Sequence, residues 1–414
     1  MIKQFIKKIV PKFLLDWYYQ FFPFLGALIY RFPSRKLSVI GITGTNGKST
    51  VVELVSSILN QAGCKVASAS SIRFQIRDKV WQNKLKMTMP GRMKLQAFLK
   101  KAVDRGCDYA VIEVTSEGIK QFRHAFIDFK TAVITNLTRE HIESHGSFEN
   151  YKKEKAKLFK KVKIAIVNLD DKNADYFLNL KEGKKYGFTI QGEERSGIEV
   201  IKGEEITLFR SGSQFKVLGE KLKINLPGKF NVSNALAAVC VGLSQKVALE
   251  DIKKGLEEVK NIPGRLDIVS FDPFSVYVDY AHTPDALENI YKTLKTDKNL
   301  ICVLGSCGGG RDKWKRPELG RIAENYCDKI ILTNEDPYDE DPQTILEDIK
   351  KGIVKKEAEM ILDRKEAIRK ALTLALPGDT VIITGKGREP WMCLANGRRI
   401  PWDDKEIVEE QLDL

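Results

Sequence analysis

Apolar and polar positions alternate along most of the chain in the manner of an α/β protein. Strand-length apolar runs and segments with apolar residues at helical spacing take turns at 38–42, 50–61, 94–105, 109–114, 132–136, 151–161 and 164–168. Apolar strands that alternate with helices are typical of parallel sheets covered on both faces. The pattern therefore predicts a mostly parallel, doubly wound sheet in the first half of the chain.

The second half of the chain repeats this alternation after a less regular stretch. Short alternating segments over 184–226 predict antiparallel strands, and 231–245 predicts a helix. A proline-glycine break at 261–264 follows a charged helix, and such breaks mark domain boundaries. Further strand-length runs lie at 276–280, 300–304, 329–332 and 380–384. We predict a central domain over 36–260 and a Rossmann-like domain over 261–414.

Residues 1–35 form a distinct segment, in which apolar and aromatic side chains recur at helical spacing with lysines between them. Pro11 is expected to kink or restart this helix. The aromatic run 21–30 is interrupted by Pro23 and Gly26, so it falls short of the roughly 18 clean apolar residues of a membrane span. No small-residue cleavage site follows, which argues against a secretory signal. Two interpretations stay open: helices packed on the enzyme or on a second subunit, or a basic amphipathic helix on a membrane surface.

Composition narrows the class of protein without choosing a substrate. With 414 residues, 43% hydrophobic and 30% charged, the chain suits a globular enzyme of two or three domains. The net charge of +13 favours anionic partners, although its spread over the whole length does not choose among them. Nucleic acid is the least favoured, because the lysines lack an aromatic stacking platform outside the N-terminal segment. Seven scattered cysteines without a C-x-x-C pair argue against disulfides and zinc ribbons, and favour a reducing, cytoplasmic compartment.

The stretch 39–50 predicts a buried strand, a glycine-rich turn and a helix, which is the arrangement of a nucleotide phosphate loop. Glycines let the backbone approach phosphate oxygens, Lys48 adds a charge, and a hydroxyl at Ser49 or Thr50 can bind Mg²⁺. The spacing departs from the usual G-x-x-x-x-G-K-[ST], because an isoleucine stands five residues before Gly47. The alternative is a plain glycine turn at a strand end.

Two more side chains are predicted at the same edge of the sheet. Glu113 ends an apolar strand, so it projects where ligands bind in such folds and can reach a metal held at Ser49. His141 follows the end of the next strand. Lys155 lies in a lysine-rich helix that, taken alone, indicates a solvated face.

Together these motifs resemble the Mur ligase family, whose members join amino acids to UDP-MurNAc peptides at the expense of ATP. The matching segments are GTNGKS at 44–49, EVTS at 113–116, NLTREH at 136–141, YKKEK at 151–155, NVSN at 231–234, DYAHTP at 279–284, GGGRDK at 308–313, KRP at 315–317 and GKGRE at 385–389. The later set is most similar to the branch that adds the third residue of the stem peptide, the MurE type. The resemblance implies a central P-loop-type domain and a C-terminal Rossmann-like domain, preceded here by a short helical segment.

The resemblance implies an ATP site with two Mg²⁺ ions. The phosphates would lie on Gly44, Thr45, Asn46, Gly47, Lys48, Ser49 and Thr50. Ser49 and Glu113 would bind one Mg²⁺, and Glu113, His141 and Lys155 the other. In the family the lysine that matches Lys155 is carbamylated, which turns a cation into a carboxylate-like ligand.

The remaining nucleotide contacts and the substrate contacts are implied in the same way. Asn231 and Asn234 would contact the adenine, while Arg265 and Asp279 would close over the ribose and the γ-phosphate. The residues that would hold the muramyl peptide or the incoming amino acid are Thr88, Ser116, Arg123, Arg316, Glu335, Asp336, Tyr338, Gly385, Arg388 and Glu389.

Three departures from the family pattern bear on the substrates. About 35 basic and aromatic residues precede the loop where the family has a domain that grips UDP, so recognition of a muramyl peptide is expected and recognition of UDP stays open. The D-N-P-R that selects diaminopimelate reads E-D-P-Y at 335–338, so Tyr338 replaces an arginine, and the extra carboxylate of Asp336 would favour a cationic side chain. Arg388 stands in place of a histidine. Lysine and diaminopimelate both remain candidates for the amino acid that is added.

The leading hypothesis is an ATP-dependent, ADP-forming ligase of peptidoglycan precursor synthesis. It would add diaminopimelate or lysine to a UDP-MurNAc-L-Ala-D-Glu-like acceptor through an acyl phosphate. We expect a cytoplasmic monomer, with contact between residues 1–30 and the inner membrane face as an open option. The alternatives are the same chemistry on a lipid-linked or non-muramyl peptide acceptor, or a non-catalytic ATP-binding subunit of a cell-wall complex.

Overall fold

The computed structural model describes residues 12–85, 87–180, 182–192 and 194–413, with residues 12–16 described through their backbone. The strands are β1 (Ser38–Thr43), β2 (Val66–Ala69), β3 (Arg73–Ile76), β4 (Lys79–Gln82), β5 (Tyr109–Glu113), β6 (Phe129–Ile134), β7 (Ile164–Asn168), β8 (Lys184–Thr189), β9 (Glu199–Lys202), β10 (Glu204–Phe209), β11 (Gly212–Val217), β12 (Glu220–Ile224), β13 (Asp267–Ser270), β14 (Ser275–Asp279), β15 (Leu300–Leu304), β16 (Lys329–Thr333), β17 (Ala358–Ile361), β18 (Thr380–Thr384), β19 (Trp391–Cys393) and β20 (Arg399–Pro401). The helices are α1 (Lys12–Ile29), α2 (Lys48–Gln61), α3 (Arg92–Asp104), α4 (Ser116–Lys120), α5 (Ile142–His145), α6 (Phe148–Ala156), α7 (Ala174–Leu178), α8 (Lys229–Ser244), α9 (Leu249–Glu258), α10 (Pro284–Leu294), α11 (Lys315–Tyr326), α12 (Pro342–Lys350), α13 (Arg364–Thr373) and α14 (Asp404–Gln411).

The largest sheet has nine strands in the order β4-β3-β2-β5-β1-β6-β7-β8-β9. The seven strands from β2 to β9 in this order pair in parallel, and β3 and β4 form an antiparallel edge. The predicted doubly wound α/β sheet is therefore confirmed. Because β5 and β6 flank β1, the segments that follow these three strands meet at one edge of the sheet.

The prediction of antiparallel strands over 184–226 is wrong for its first part. Strands β8 and β9 extend the large sheet in parallel, and only β10, β11 and β12 form an antiparallel sheet. Strand β9 lies at the sheet edge and is partly exposed, while β8 beside it packs on α8. Edge strands of a parallel sheet can thus carry the pattern of antiparallel ones.

A second sheet carries the C-terminal part of the chain, in the order β13-β14-β18-β15-β16-β17. Strands β14 to β17 in this order are parallel, and β13 is antiparallel at one edge. This confirms a second α/β unit of Rossmann type. Strand β17 and helices α12 and α13 were not predicted, because the 342–373 segment is rich in charged residues.

The two sheets are joined by hydrogen bonds and one buried ion pair near their carboxyl edges. Asn46 Nδ2 donates to Asp285 Oδ2 at 3.0 Å. Asp312 accepts from two backbone N–H groups in the first turn of α5, at 2.9 and 3.2 Å. Lys315 Nζ lies 2.7 Å from Glu140 Oε1, and both side chains are buried. The carboxyl edges of the two sheets therefore face each other.

Helix α1 confirms the predicted helical N-terminal segment and runs through Pro23. It packs against α3, and Gly26 allows the close approach, since a methyl group there would lie 3.3 Å from the Met93 Cα atom. None of the helices in the described part of the chain has the length and apolar character needed to cross a bilayer. The predicted kink at Pro11 lies outside the described residues.

Candidate active site

A cavity of about 1520 Å³ lies between the carboxyl edges of the two large sheets. The predicted site residues that line it are Thr45, Asn46, Gly47, Lys48, Ser49, Thr50, Thr88, Glu113, Ser116, Arg123, His141, Asn231, Asn234, Arg265, Asp279, Asp336, Tyr338, Arg388 and Glu389. The predicted residues outside its lining are Gly44, Lys155, Arg316, Glu335 and Gly385. The fold thus brings most of the predicted site to one cavity.

The phosphate loop joins β1 to α2 and is held by the neighbouring strand end. Gly47 has left-handed backbone with φ 81° and precedes Lys48, the first residue of α2. Asn136 Oδ1 accepts from the Asn46 N–H at 2.9 Å, and Thr135 Oγ1 donates to the Asn46 carbonyl at 2.6 Å. Burial lowers the pKa of Lys48, whose Nζ donates to a carbonyl within the loop at 2.7 Å. A phosphate on the loop would lie beside this ammonium and pair with its charge.

Replacing Gly47 with alanine should destabilise the protein by about 1–3 kcal/mol and weaken nucleotide binding, because an added methyl group would overlap Asn234 Oδ1 in a strained backbone conformation. Gly63 is the matched control, since it has φ 78° and open space around its Cα atom. Urea unfolding and ATP titration calorimetry would measure both variants. Equal effects of Gly47→Ala and Gly63→Ala would contradict the role given to the loop.

Glu113 ends β5 and is the centre of a hydrogen-bond network. The Ser49 hydroxyl donates to Glu113 Oε2 at 2.8 Å, as expected for two groups that would share a metal ion. The backbone N–H of Ser71 donates to the same oxygen at 2.8 Å, and the Ser71 hydroxyl donates to Glu113 Oε1 at 3.1 Å. Ser71 Oγ also lies 2.7 Å from Thr88 Oγ1. Sequence reasoning missed Ser71 because the short strand β2 that precedes it was not predicted.

Lys155 is buried on α6, so the interpretation of its helix as a solvated face is wrong for this residue. Its Nζ donates to the Gly44 carbonyl at 2.7 Å and lies 4.7 Å from the centre of the Tyr151 ring. The ring of His141 lies 5.8 Å from the same tyrosine ring. Tyr151 thus lies beside His141 and Lys155, the two predicted metal ligands. A lysine on a solvated helix face would not make such buried contacts.

Burial sets the protonation states of His141 and Lys155. It lowers the pKa of His141 to about 2, with added effect from the positive charges of Arg311, Lys155 and Lys48. Burial, helped by the charge of Lys48, also lowers the pKa of Lys155 well below its usual value. A neutral imidazole can bind a metal ion, and a neutral amine is the form that adds carbon dioxide to give a carbamate.

A modified Lys155 would extend the set of groups here that can bind magnesium. Within residues 12–85, 87–180, 182–192 and 194–413, no three His, Cys, Asp or Glu side chains are placed to hold a metal ion. Glu113, His141 and Ser49 all line the cavity and carry groups that could bind a metal ion there. A carbamate on Lys155 would add the missing oxygen ligand, which suits the preference of Mg²⁺ for oxygen.

Arg265 and Asp279 approach the loop from the C-terminal side of the cavity. Arg265 Nη2 lies 3.4 Å from Ser49 Oγ, and its guanidinium stacks on the Tyr280 ring at 4.8 Å. Asp279 accepts two backbone N–H groups at 2.6 Å, and burial raises its pKa to about 6. Arg265 thus faces the loop where a phosphate would lie. Asp279 holds the backbone next to Arg265 through the Leu266 N–H.

Asn231 and Asn234 stand on α8 at the other side of the loop. Asn231 Nδ2 donates to the Pro227 carbonyl at 2.8 Å, and Asn234 Nδ2 donates to Asn231 Oδ1 at 3.1 Å. Asn234 Oδ1 abuts Gly47. Both asparagines line the cavity. Because Asn234 donates to Asn231 through Nδ2, its Oδ1 is turned towards the loop.

At the C-terminal end of the cavity, Asp336 is paired with a lysine of its own chain. Asp336 Oδ1 lies 3.0 Å from Lys386 Nζ and accepts the Cys393 N–H at 2.8 Å. Arg388 pairs with Asp403 at 2.9 Å. Lys386 Nζ also lies 2.8 Å from Glu389 Oε2, so this lysine is shared by two carboxylates, and the expectation that Asp336 favours a cationic amino acid stays a prediction.

Three residues predicted to bind substrate lie outside the cavity lining. Arg316 is fully buried and pairs with Glu340 at 2.7 Å and with Asp348 at 3.1 Å. Glu335 Oε1 accepts from the Cys307 Sγ at 2.7 Å. Gly385 packs against the Glu335 carboxylate, where a methyl group would overlap it. The direct substrate contact predicted for Arg316, Glu335 and Gly385 is therefore not matched by their positions, since each packs against its own chain instead.

The opposite end of the cavity holds the residues expected to meet the acceptor peptide. Ser116 Oγ lies 3.1 Å from His145 Nε2. Arg123 donates to the Met89 carbonyl and to Gln121 Oε1, each at 2.7 Å. Sequence reasoning missed His145, whose position in the chain gives no signal before the fold places it beside Ser116.

Arg311 also lines the cavity and was missed as a site residue. It belongs to the GGGRDK segment at 308–313, which carried the resemblance without suggesting a role for the arginine. Its positive charge acts on His141 from the C-terminal side.

A pH dependence of stability is expected from His124, which lies away from the cavity. Burial and the charge of Lys157 lower its pKa to about 4, and its Nδ1 has no hydrogen-bond partner among the described residues. Between this value and an unfolded pKa of about 6.5, the unfolded chain binds more protons, so this contribution to stability falls as pH falls. His124→Asn should therefore gain stability relative to the wild type as pH is lowered from 6.5 to 4. Urea unfolding at several pH values would measure the difference, and parallel curves would contradict it.

The family model described as "Mur ligase middle domain" matches residues 42–242, and the model described as "Mur ligase, glutamate ligase domain" matches residues 264–387. A protein of Clostridium tetani named UDP-N-acetylmuramoyl-L-alanyl-D-glutamate--2,6-diaminopimelate ligase is 37% identical over 394 residues. The match covers 93% of this chain and 79% of that protein.

Solved structures show the same fold. A structure of a UDP-N-acetylmuramoyl-L-alanyl-D-glutamate--2,6-diaminopimelate ligase aligns with TM-score 0.64 and 30% identity, over 94% of this chain and 82% of that one. Folylpolyglutamate synthase of Mycobacterium tuberculosis aligns with TM-score 0.70 and 17% identity, over 88% of this chain and 92% of that one. The second likeness concerns the fold alone.

Proposed function

The chain belongs to the Mur ligase family, and from this premise we propose that it is an ATP-dependent, ADP-forming ligase that joins an amino acid to a muramyl peptide in peptidoglycan precursor synthesis. One observation carries the proposal: Lys48, the Ser49–Glu113 pair and His141 converge on one cavity edge and face Arg265 from the other sheet. A ligase of this class needs such a ring of groups around the γ-phosphate.

The reaction would proceed through an acyl phosphate. A carboxylate oxygen of the acceptor attacks the γ-phosphorus of ATP, and the bond to ADP breaks. The amine of the amino acid then attacks the acyl carbon and loses a proton, and inorganic phosphate leaves. Lys48 and Arg265 would stabilise the charge on the transferred phosphoryl group from two sides.

The residues around Glu113 would hold two Mg²⁺ ions, with Ser49 and Glu113 on one and Glu113, His141 and the carbamate of Lys155 on the other. When bound, Mg²⁺ would screen the negative charge of the phosphates. His141 would stay neutral because burial holds its pKa near 2, so it serves as a ligand and not as an acid. The adenine would lie against Asn231 and Asn234, and closure of the C-terminal domain (261–414) over the central domain (36–260) would complete the site.

The acceptor would lie at the end of the cavity lined by Thr88, Ser116 and Arg123. The incoming amino acid would lie at the opposite end, near Tyr338, Arg388 and Glu389. Diaminopimelate and lysine are both candidates, because Tyr338 stands where the family's arginine would bind a diaminopimelate carboxylate, while Asp336 is paired with Lys386. The names of the relatives favour diaminopimelate.

A second candidate acceptor is the same peptide attached to a lipid. It is favoured by the position of α1, because Tyr19 of this helix contacts Arg92, which donates to the carbonyl of Gln121 in the lining of the acceptor end. The reaction would be unchanged, and a peripheral position at the inner membrane face would accompany it. We expect a monomer in either case.

The proposal is tested by phosphate release from ATP across a matrix of acceptors and amino acids. The acceptors are UDP-MurNAc-L-Ala-D-Glu and its lipid-linked counterpart, and the amino acids are diaminopimelate and lysine. We expect release that requires both an acceptor and an amino acid. Absence of release with every pair would refute the proposed reaction and favour a non-catalytic ATP-binding subunit.

A further inference from the structure

Helix α1 presents an aromatic face to solvent on the outside of the central domain. This aromatic face consists of Trp17, Tyr18, Phe21, Phe24, Leu28 and Ile29. Trp17 and Leu28 are 62% and 54% exposed, whereas large apolar residues that pack on their own domain are mostly buried. The opposite side of the helix, with Pro23, Gly26 and Ala27, is buried towards α3.

The aromatic face is held in place by contacts to the body of the protein. The rings of Trp17 and Phe21 stack with centres 5.0 Å apart, and Phe24 packs on Phe126 at 5.3 Å. On the inner side of α1, the guanidinium of Arg92 lies 4.3 Å from the centre of the Tyr19 ring. Phe126 and Arg92 thus anchor α1 on the body of the protein, while the Trp17–Phe21 stack lies within the helix.

The sequence around the aromatic face is strongly basic. Residues 1–36 contain seven Lys or Arg and a single acidic residue, Asp16, which leaves a surplus of six positive charges in a chain whose net charge is +13. Arg31 and Arg35 follow the end of α1 and are exposed. Trp and Tyr beside Lys and Arg are the side chains that lie at the boundary between lipid headgroups and acyl chains.

We propose that the aromatic face of α1 and its basic flanks bind an acidic membrane surface, with the helix lying in the plane of the interface. Apolar and aromatic side chains enter the acyl boundary, while arginines and lysines meet the anionic headgroups. The charge of the segment selects a lipid surface over an uncharged apolar protein partner. Helix α1 rests on the bilayer without crossing it, since it packs on α3 along its other side.

A chain of contacts links the aromatic face to the acceptor end of the cavity. Arg92, which stacks on Tyr19, donates through its Nε to the Gln121 carbonyl at 3.0 Å. Gln121 Oε1 in turn accepts from Arg123, and both Gln121 and Arg123 line the cavity. Docking by α1 therefore brings the acceptor end of the cavity, and not the nucleotide end, towards the membrane.

Sedimentation of the full chain with lipid vesicles tests this proposal without nucleotide or substrate, so it is independent of the proposed reaction. We expect binding to vesicles of phosphatidylglycerol and phosphatidylcholine, weaker binding in high salt, and little binding to phosphatidylcholine alone. The variant Trp17→Ser/Phe21→Ser/Phe24→Ser should bind at least about tenfold more weakly. The matched control is Leu208→Ser/Phe209→Ser, which changes two side chains of β10 that are each 47% exposed, and it should bind like the wild type.

Fluorescence quenching by brominated lipids gives a second measurement that does not depend on the folding of the triple variant. Trp17→Phe should keep vesicle binding and lose the quenching, while Trp391→Phe should keep both, because Trp391 lies on β19 in the C-terminal part of the chain. Wild-type protein that stays in the supernatant with acidic vesicles would overturn the proposal. So would quenching that survives Trp17→Phe, or a stable dimer in sedimentation equilibrium that the triple variant abolishes.

Discussion

Replacement of Lys155 by alanine is expected to lower phosphate release by about 10³-fold while leaving the fold intact, because the variant lacks the group that would complete the metal site. Lys155 is buried beside Gly44 of the phosphate loop, and burial favours its neutral amine. Loss of the amine removes the carbamate and with it an oxygen ligand. The measurement is steady-state phosphate release with saturating ATP, together with urea unfolding.

Controls separate a carbamate from a packing role for Lys155. Lys153→Ala removes an exposed lysine from the same helix and should leave phosphate release unchanged. Acetate or formate should restore part of the activity of Lys155→Ala, since a small carboxylate can occupy the vacated space and bind the metal. Wild-type enzyme in carbonate-free buffer should lose activity and regain it with bicarbonate. Full activity of Lys155→Ala, or no rescue by any carboxylate, would refute the assignment.

Replacement of Arg364 by alanine is expected to cost about 3–5 kcal/mol of unfolding free energy, because it leaves a buried carboxylate without its partner. Arg364 on α13 and Asp404 at the start of α14 are both fully buried, and they pair through two hydrogen bonds of 2.7 and 2.8 Å. Arg364 also donates to the carbonyl of Thr384, at the end of β18, at 2.8 Å. Urea unfolding at neutral pH would measure the loss.

Lys365 provides the matched control for this prediction. It pairs with Glu410 at 2.8 Å and so joins the same two helices, but both side chains are largely exposed. Lys365→Ala should therefore change stability by about 1 kcal/mol or less. The double variant Arg364→Ala/Asp404→Ala should lose less than the sum of the two single losses, because neither charge is then left alone. Equal losses for Arg364→Ala and Lys365→Ala would show that burial of the pair does not matter.

Much of the fold could be predicted from the sequence because its central strands are buried on both faces. Strands β1, β5, β14 and β18 are buried almost along their whole length, and their central residues are mostly apolar, which is typical of a parallel sheet. Edge strands carry weaker signals. Strands β8 and β9 contact α8, which is distant in sequence. Their local pattern of apolar and polar residues therefore suggested antiparallel pairing, which is wrong.

The site residues, too, could be predicted only where they adjoin a strand or helix with a clear sequence pattern. Glu113 and Ser49 could be placed because each adjoins the end of a clear strand or the start of a clear helix, and the fold pairs them at 2.8 Å. Burial of Lys155 could not be read from its lysine-rich helix, and only the family resemblance indicated it. Ser71 and His145 act through partners that are far away in the chain, so no local pattern marks them.

The contact between Asp312 and the first turn of α5 has a consequence for inhibition. Asp312 belongs to the C-terminal part of the chain, yet it accepts the N–H groups of the two residues that follow His141. The orientation of His141 is thus coupled to the position of Asp312 in the C-terminal part of the chain. We expect a compound that binds between Asp312 and the first turn of α5 to turn His141 away from the cavity, and so to inhibit without occupying the phosphate loop.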